Sequence, residues 1–95
     1  MDYVDLIGLV NESAWQPLSN KLVDVILTTK NDEKMPGTLA RHILYLWQQD
    51  NLVSKIGLAV LLEAAVKLEP ERTLSILSEL QLVELESKIR EGSKP

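Results

Sequence analysis

The sequence contains no cysteine, and histidine occurs once, at His42. Without cysteine there can be no disulfide, no thiol nucleophile and no thiolate zinc site. A single histidine cannot form a histidine pair or a catalytic triad, so a metal site would depend on carboxylates alone. We interpret His42 as a solitary surface or edge histidine.

Motifs that carry chemistry are lacking as well. The four glycines do not form a phosphate-binding loop, and no nucleophile elbow or metal-spaced cluster occurs. Carboxylates at i and i+2, as in Glu69 with Glu71 and Glu84 with Glu86, do not converge on a helix, so we interpret them as solvated charges. The sequence therefore predicts no catalytic residue, no cofactor and no metal.

Positive charge is in the minority, with 10 Lys and Arg against 14 Asp and Glu. Nucleic acids and anionic membranes bind clustered Lys and Arg, so this balance disfavours both as partners. The longest apolar run, Ile56–Leu68, is shorter than the roughly 20 residues that cross a bilayer. The amino terminus has no basic run followed by an apolar core, which argues against a secretory signal. We expect a cytoplasmic protein.

The chain of 95 residues has the length of one domain, and its 45% hydrophobic and 25% charged residues are ordinary for a soluble globular domain. The β-branched residues follow helical rather than alternating spacing, so no strand is predicted. The expected fold is all-α, a compact bundle of five or six short antiparallel helices over residues 1–91. A frayed polar tail is expected at 92–95.

A helix predicted over Leu52–Leu68 forms the middle of this bundle. The apolar residues of its segment Ile56–Leu68 point in nearly every direction, leaving Glu63 and Lys67 as a narrow polar strip. Glu63 precedes Lys67 by four residues, and this order of acid and base stabilises a helix. It therefore favours an exposed ion pair over a catalytic lysine. Neighbouring helices should therefore cover the segment on most sides.

Two amino-terminal helices are predicted from capping signals. Asp2 can cap a first helix that ends near Asn11 or Glu12. Ser13 and Gln16 match a capping box, which predicts a second helix from Ala14 to about Lys30. The apolar stripe of this second helix consists of Trp15, Leu18, Leu22, Val25 and Ile26.

The carboxy-terminal helices are predicted from proline and from a change of apolar direction. Pro70 fits a first helical position. The apolar residues before Gln81 and those after it point in different directions, so the helix either breaks near Gln81 or touches two neighbours. Residues 18–27 also resemble residues 52–61 at a spacing typical of helical-hairpin repeats, which would give two stacked hairpins.

A third helix, capped by Thr38, follows a charged loop at 31–37. We place its end at 49–51, with one bent helix from Thr38 to Leu68 as the alternative. The face opposite its apolar stripe carries the arginine, aromatic and amide side chains that protein interfaces favour. The predicted partner-binding residues are Arg41, His42, Tyr45, Gln48 and Gln49. The alternative interpretation is that Tyr45 covers the arginine stem at the edge of the core.

A bundle this small can fail to surround an apolar helix completely, and the remaining apolar surface then favours self-association or a protein partner. Gly57 within the helix indicates a close crossing by another backbone. We therefore expect a non-catalytic protein–protein interaction module, either a homo-oligomer such as a homodimer or a small adaptor in a cytoplasmic assembly. The alternative is a dimeric helix-turn-helix-like regulator associated with nucleic acid.

Overall fold

The computed structural model describes residues 2–28, 45 and 54–92. In these residues it contains helices and no strand, which confirms the all-α bundle. The helices are α1 (Tyr3–Ile7), α2 (Glu12–Thr28), α3 (Lys55–Leu68), α4 (Pro70–Glu79) and α5 (Val83–Gly92). Tyr45 also has helical backbone. The predicted loop at 31–37 and the rest of the predicted third helix lie outside the described residues.

Helix α3 is the central element, because it contacts α1, α2 and α4. Helix α4 also packs on α2 and α5, and α5 contacts α1. Leu58, Leu61 and Leu62 have no exposed surface. The buried residues of α3 are Gly57, Leu58, Ala59, Leu61, Leu62, Ala64, Ala65 and Leu68. The apolar helix is thus covered on most of its circumference.

The start of α3 is set by Ser54, which has extended backbone and accepts a hydrogen bond from the Gly57 N–H at 3.0 Å. This cap satisfies one of the amide groups that the first turn of a helix leaves without a partner. The predicted start at Leu52 is therefore wrong, since the helix begins at Lys55. One continuous helix from Thr38 to Leu68 is also wrong, because Ser54 is not helical. Gly57 is buried, and the predicted close crossing there stays a prediction.

Helix α2 begins at Glu12, so Ser13 lies inside the first turn and the predicted start at Ala14 is wrong. Pro17 lies within the helix, where it has no N–H to donate to the preceding turn. The predicted apolar stripe is buried from Leu18 to Ile26. Trp15 is half-buried, and its Nε1 donates to the Val10 carbonyl at 3.0 Å. That bond ties α2 to the chain that follows α1.

Helices α4 and α5 are separated at Gln81, which has a φ of 60°. The Gln81 N–H donates to the Ser78 carbonyl at 3.0 Å, and the Leu82 N–H donates to the Leu77 carbonyl at 2.9 Å. These two bonds form a Schellman motif, the usual helix ending with a left-handed residue. The predicted break near Gln81 is confirmed. Helix α5 includes Gly92, the first residue of the predicted tail.

The junction of α3 and α4 depends on Pro70 and Thr73. Pro70 is the first residue of α4, as predicted. The buried Thr73 hydroxyl lies 2.9 Å from the Ala65 carbonyl and 2.7 Å from the Glu69 carbonyl. A hydroxyl has one hydrogen, so it donates to one of these oxygens at a time. In either state it helps to satisfy carbonyls near the end of α3.

The burial pattern does not support the sequence repeat. Leu22 in α2 is fully buried, whereas Ile56, its counterpart in α3, is 64% exposed. Leu27 is 58% exposed, whereas its counterpart Leu61 is fully buried. Repeated units that stack in the same way would bury equivalent positions. Helices α2 and α3 therefore bury different faces of a similar sequence.

Candidate interaction surface

One line along α3 is covered less than its other faces by the described helices. Glu63 and Lys67 lie on it and form the predicted ion pair, with 2.9 Å between Oε1 and Nζ. The line continues toward the start of the helix through the half-buried Val60 and the exposed Ile56. We name these four residues, which follow one another at i, i+4, i+7 and i+11, the α3 strip.

The α3 strip corrects the expectation that only Glu63 and Lys67 meet solvent. Its amino-terminal half is apolar and its carboxy-terminal half is charged. The sequence pattern placed Ile56 on the apolar part of the helix circumference. In the structure, however, α1, α2 and α4 pack on other faces of α3. None of the described helices covers Ile56, which keeps 64% of its surface exposed.

A groove runs between α1 and α3 alongside the strip. Tyr3 and Val4 of α1 form one wall and are half-buried. The groove has a volume of about 450 Å³ and is lined by Asp2, Tyr3, Val4, Ile56, Ala59, Val60 and Glu63. We name it the α1–α3 groove. Apolar side chains line it together with the carboxylates of Asp2 and Glu63, and protein interfaces likewise combine apolar and polar groups.

Two groups beside the groove, the Tyr3 phenol and the Lys67 amine, have shifted pKa values. Burial raises the pKa of the Tyr3 phenol, the nearby Glu63 carboxylate raises it further, and Lys67 opposes the shift. The hydrogen bond from Lys67 to Glu63, together with their attraction, raises the pKa of the Lys67 amine. Tyr3 is therefore neutral and Lys67 is a cation. A lysine nucleophile needs a lowered pKa, so this arrangement is unsuited to amine catalysis.

Among the other grooves of the described surface, one lies along α5 beside Val83, Glu86 and Arg90, and two more lie between elements. The first of these two lies between the α1–α2 and α4–α5 connections and contains Leu9 and Val83, which are 42% and 70% exposed. The second lies between α2 and α4. Ion pairs from Lys21 to Glu79, at 3.5 Å, and from Arg72 to Asp24, at 3.3 Å, join the walls of the second groove. Its charges are thus paired with each other within one chain.

Of the five predicted partner-binding residues, Tyr45 is the one that the structure describes. Tyr45 has helical backbone and is 56% exposed. Arg41, His42, Gln48 and Gln49 lie outside the described residues. Their role as a partner-binding face therefore stays a prediction. The α1–α3 groove was not predicted, because its walls come from helices far apart in the sequence.

Within residues 2–28, 45 and 54–92, no group of three or more His, Asp or Glu side chains is arranged to hold a metal ion. The described helices include none that is both long and apolar enough to cross a membrane. Comparison with family models, curated proteins and solved structures finds no match for this chain.

Proposed function

We propose that the protein is a non-catalytic protein–protein interaction module, either one that self-associates or a small adaptor in a cytoplasmic assembly. The observation that carries this proposal is the apolar half of the α3 strip, where Ile56 is 64% exposed beside a groove. Removing apolar surface from water contributes about 25 cal/mol per Å², and the entropic cost of association offsets part of this gain. Ile56 is joined by Val60, Val4 and Tyr3, so it belongs to a patch rather than standing alone.

The helix-turn-helix alternative is disfavoured by charge. Helices α4 and α5 are joined by a short turn, as in that motif. However, a recognition helix contacts DNA with its first residues, and the first turn of α5 carries Glu84 and Glu86. These carboxylates would face phosphates and bases that mainly attract basic side chains. The protein–protein interaction module is therefore better supported than the DNA-binding regulator.

Self-association is tested by light scattering behind a sizing column at several protein concentrations. The monomer has a mass of 10.7 kDa. We expect the measured mass to rise above this value at about 10 to 100 µM, because a small apolar surface gives micromolar affinities. A mass that stays at the monomer value throughout this range would contradict self-association.

The adaptor function is tested at the predicted partner-binding face. We expect the double substitution Arg41→Ala with Tyr45→Ala to leave helicity and melting nearly unchanged and to abolish co-purification of a bound protein from the native host. Exposed interface aromatics and arginines contribute to binding rather than to folding. Leu27→Ala removes another exposed side chain, 58% accessible, and serves as the control. Unfolding of the double variant would instead assign Tyr45 to the edge of the core.

A further inference from the structure

A groove with a volume of about 400 Å³ lies where the α1–α2 connection meets the α4–α5 connection. Leu9, Asn11 and Ala14 line one side, and residues 80–85 line the other. We name it the Gln81 groove. We propose that the Gln81 groove docks an extended peptide segment of another protein, one that carries apolar and basic side chains. The inference goes beyond the proposed self-association, because this surface shares no residue with the α1–α3 groove.

Apolar side chains that are incompletely buried supply the contact area of this groove. Leu9 and Val83 are both exposed, and they come from the two different connections. Leu80 and Leu82 are half-buried and add to the apolar surface. Apolar patches of this kind mark contact sites for other proteins. Apolar side chains of a peptide can therefore be buried here.

The charge of the groove is negative. Glu84 is the charged residue that lines it, and the exposed Glu12 stands two residues before the lining residue Ala14. In the part of the chain that the structure describes, neither carboxylate makes an ion pair. Lys88, one turn after Glu84, has its Nζ 4.0 Å from Glu91 Oε2 instead. Carboxylates beside an apolar surface favour a partner with Lys or Arg side chains.

Gln81 supplies a hydrogen-bonding group to the wall of the groove. Its φ of 60° is a left-handed conformation, which costs free energy for a residue other than glycine. Among the described residues, its side-chain amide has no hydrogen-bond partner that would compensate for this cost. Residues held in strained conformations cluster at functional sites. The Gln81 side chain is thus available to a partner.

The same groups favour an extended peptide over a helical one. The Gln81 amide can donate to a backbone carbonyl of the partner and accept from a backbone N–H. An extended segment has such groups free, whereas a helix has already paired most of its own. Side chains at i and i+2 of an extended chain lie on the same face. One face can therefore place apolar side chains on Leu9 and Val83 and a basic side chain on Glu84.

The other grooves of the described surface fit such a peptide less well. In the α1–α3 groove, Glu63 is paired with Lys67, and Asp2 accepts a hydrogen bond from the Val4 N–H. The groove along α5 and the groove between α2 and α4 contain internal ion pairs. The Gln81 groove combines exposed apolar side chains with a carboxylate that has no such pair among the described residues.

Fluorescence anisotropy with a labelled peptide tests the site. In this probe, lysine, leucine, leucine and lysine alternate with serine, so these side chains share one face when the peptide is extended. We expect saturable binding with a Kd of about 10 to 100 µM, and weaker binding of a matched peptide with glutamate in place of lysine. No binding up to about 1 mM, or equal binding of the two peptides, would overturn the proposal.

Charge exchange locates the bound peptide. Glu84→Lys should reverse the preference, so that the glutamate peptide binds more tightly than the lysine peptide. Glu84→Gln places no cation at the start of α5 and should raise the Kd of the lysine peptide about 3-fold. The matched control is Glu71→Lys, since Glu71 is an exposed carboxylate in the first turn of α4. It should keep the original preference. An unchanged preference in Glu84→Lys would show that the peptide binds elsewhere.

Two further substitutions test the apolar surface and the amide. We expect Val83→Ser to raise Kd about 5-fold through lost apolar contact, and Leu27→Ser, at an exposed apolar residue of α2, to leave Kd unchanged. Gln81→Gly relieves the left-handed conformation, yet it should raise Kd about 5-fold because the amide is lost. Circular dichroism verifies that each variant keeps its helices.

The outcomes separate this site from the surface proposed for self-association. If Ile56→Ser weakens peptide binding and Val83→Ser does not, the peptide occupies the α1–α3 groove and the assignment to the Gln81 groove is wrong. If Gln81→Gly leaves Kd unchanged, the amide does not contact the peptide backbone and the extended docking mode is wrong. Neither failure affects self-association, because light scattering measures it without a peptide.

Discussion

Leu62→Ala is expected to lower the free energy of unfolding by about 2 to 5 kcal/mol. Leu62 lies in the middle of α3 with no exposed surface, and α3 contacts three of the other described helices. Removing its side chain therefore loses apolar burial and leaves a cavity that short helices can close only in part. A domain of this size has a total stability of about 5 to 15 kcal/mol, so the variant would be partly unfolded at moderate temperature.

The matched control is Leu27→Ala, the same change in α2 at a side chain that is 58% exposed. We expect this control to stay within about 0.5 kcal/mol of the unmodified chain. Urea unfolding followed by circular dichroism measures both variants. Similar losses at the two positions would contradict the assignment of α3 as the buried centre.

The prediction that α3 is central succeeded because its apolar residues cover so much of the helix circumference. Periodicity could not show which part of that circumference lacks a neighbour, and this is why the exposure of Ile56 was not predicted. A side chain is buried by tertiary contacts, which depend on the length and position of other helices. Helix α1 ends at Ile7, so the predicted end near Asn11 or Glu12 is wrong.

The first residue of a helix was harder to predict than the existence of the helix. Several neighbouring residues can cap a helix about equally well, so the sequence does not select one of them. Asp50, Asn51 and Ser54 can each cap a helix at comparable free energy. The observed cap is Ser54, which bonds the Gly57 N–H. Before α2, Ser13 offered a complete capping box, yet the helix begins at Glu12. Differences of a few tenths of a kcal/mol in local preference are easily overridden by packing.

The α1–α3 groove could be inferred only from coordinates. Asp2, Tyr3 and Val4 belong to one helix end, and the opposite wall begins at Ile56. Sequence spacing predicts which residues share a face of one helix, but it does not predict which helices are adjacent. The ion pair of Glu63 with Lys67 was predictable because both residues lie on the same helix.

Gln81 shows what the direction of apolar side chains along a helix can and cannot predict. The change of apolar direction between the residues before Gln81 and those after it predicted either a break near Gln81 or a helix that touches two neighbours. The physical means of the break was not predicted, because a left-handed residue at such a helix end is usually glycine. Glutamine occupies that conformation here, with a φ of 60°.

Gln81→Gly is therefore expected to raise the free energy of unfolding by about 0.5 to 1 kcal/mol. Relief of the left-handed conformation contributes roughly 1 to 2 kcal/mol, and the greater freedom of glycine in the unfolded chain offsets about half of it. Gln81→Val should lower stability by about 1 kcal/mol, because branching at Cβ is poorly tolerated at positive φ. The two variants should thus differ by about 2 kcal/mol, or roughly 8 to 16 °C in Tm.

The control for glycine is Ser75→Gly, at an exposed position inside α4. There glycine weakens the helix, and we expect a loss of about 0.5 kcal/mol. Urea unfolding of the three variants with an unchanged m-value measures these differences. Opposite signs for glycine at positions 81 and 75 would show that the gain comes from the positive φ of the Schellman motif. A loss of stability in both glycine variants would mean that Gln81 contributes a side-chain contact larger than its backbone strain.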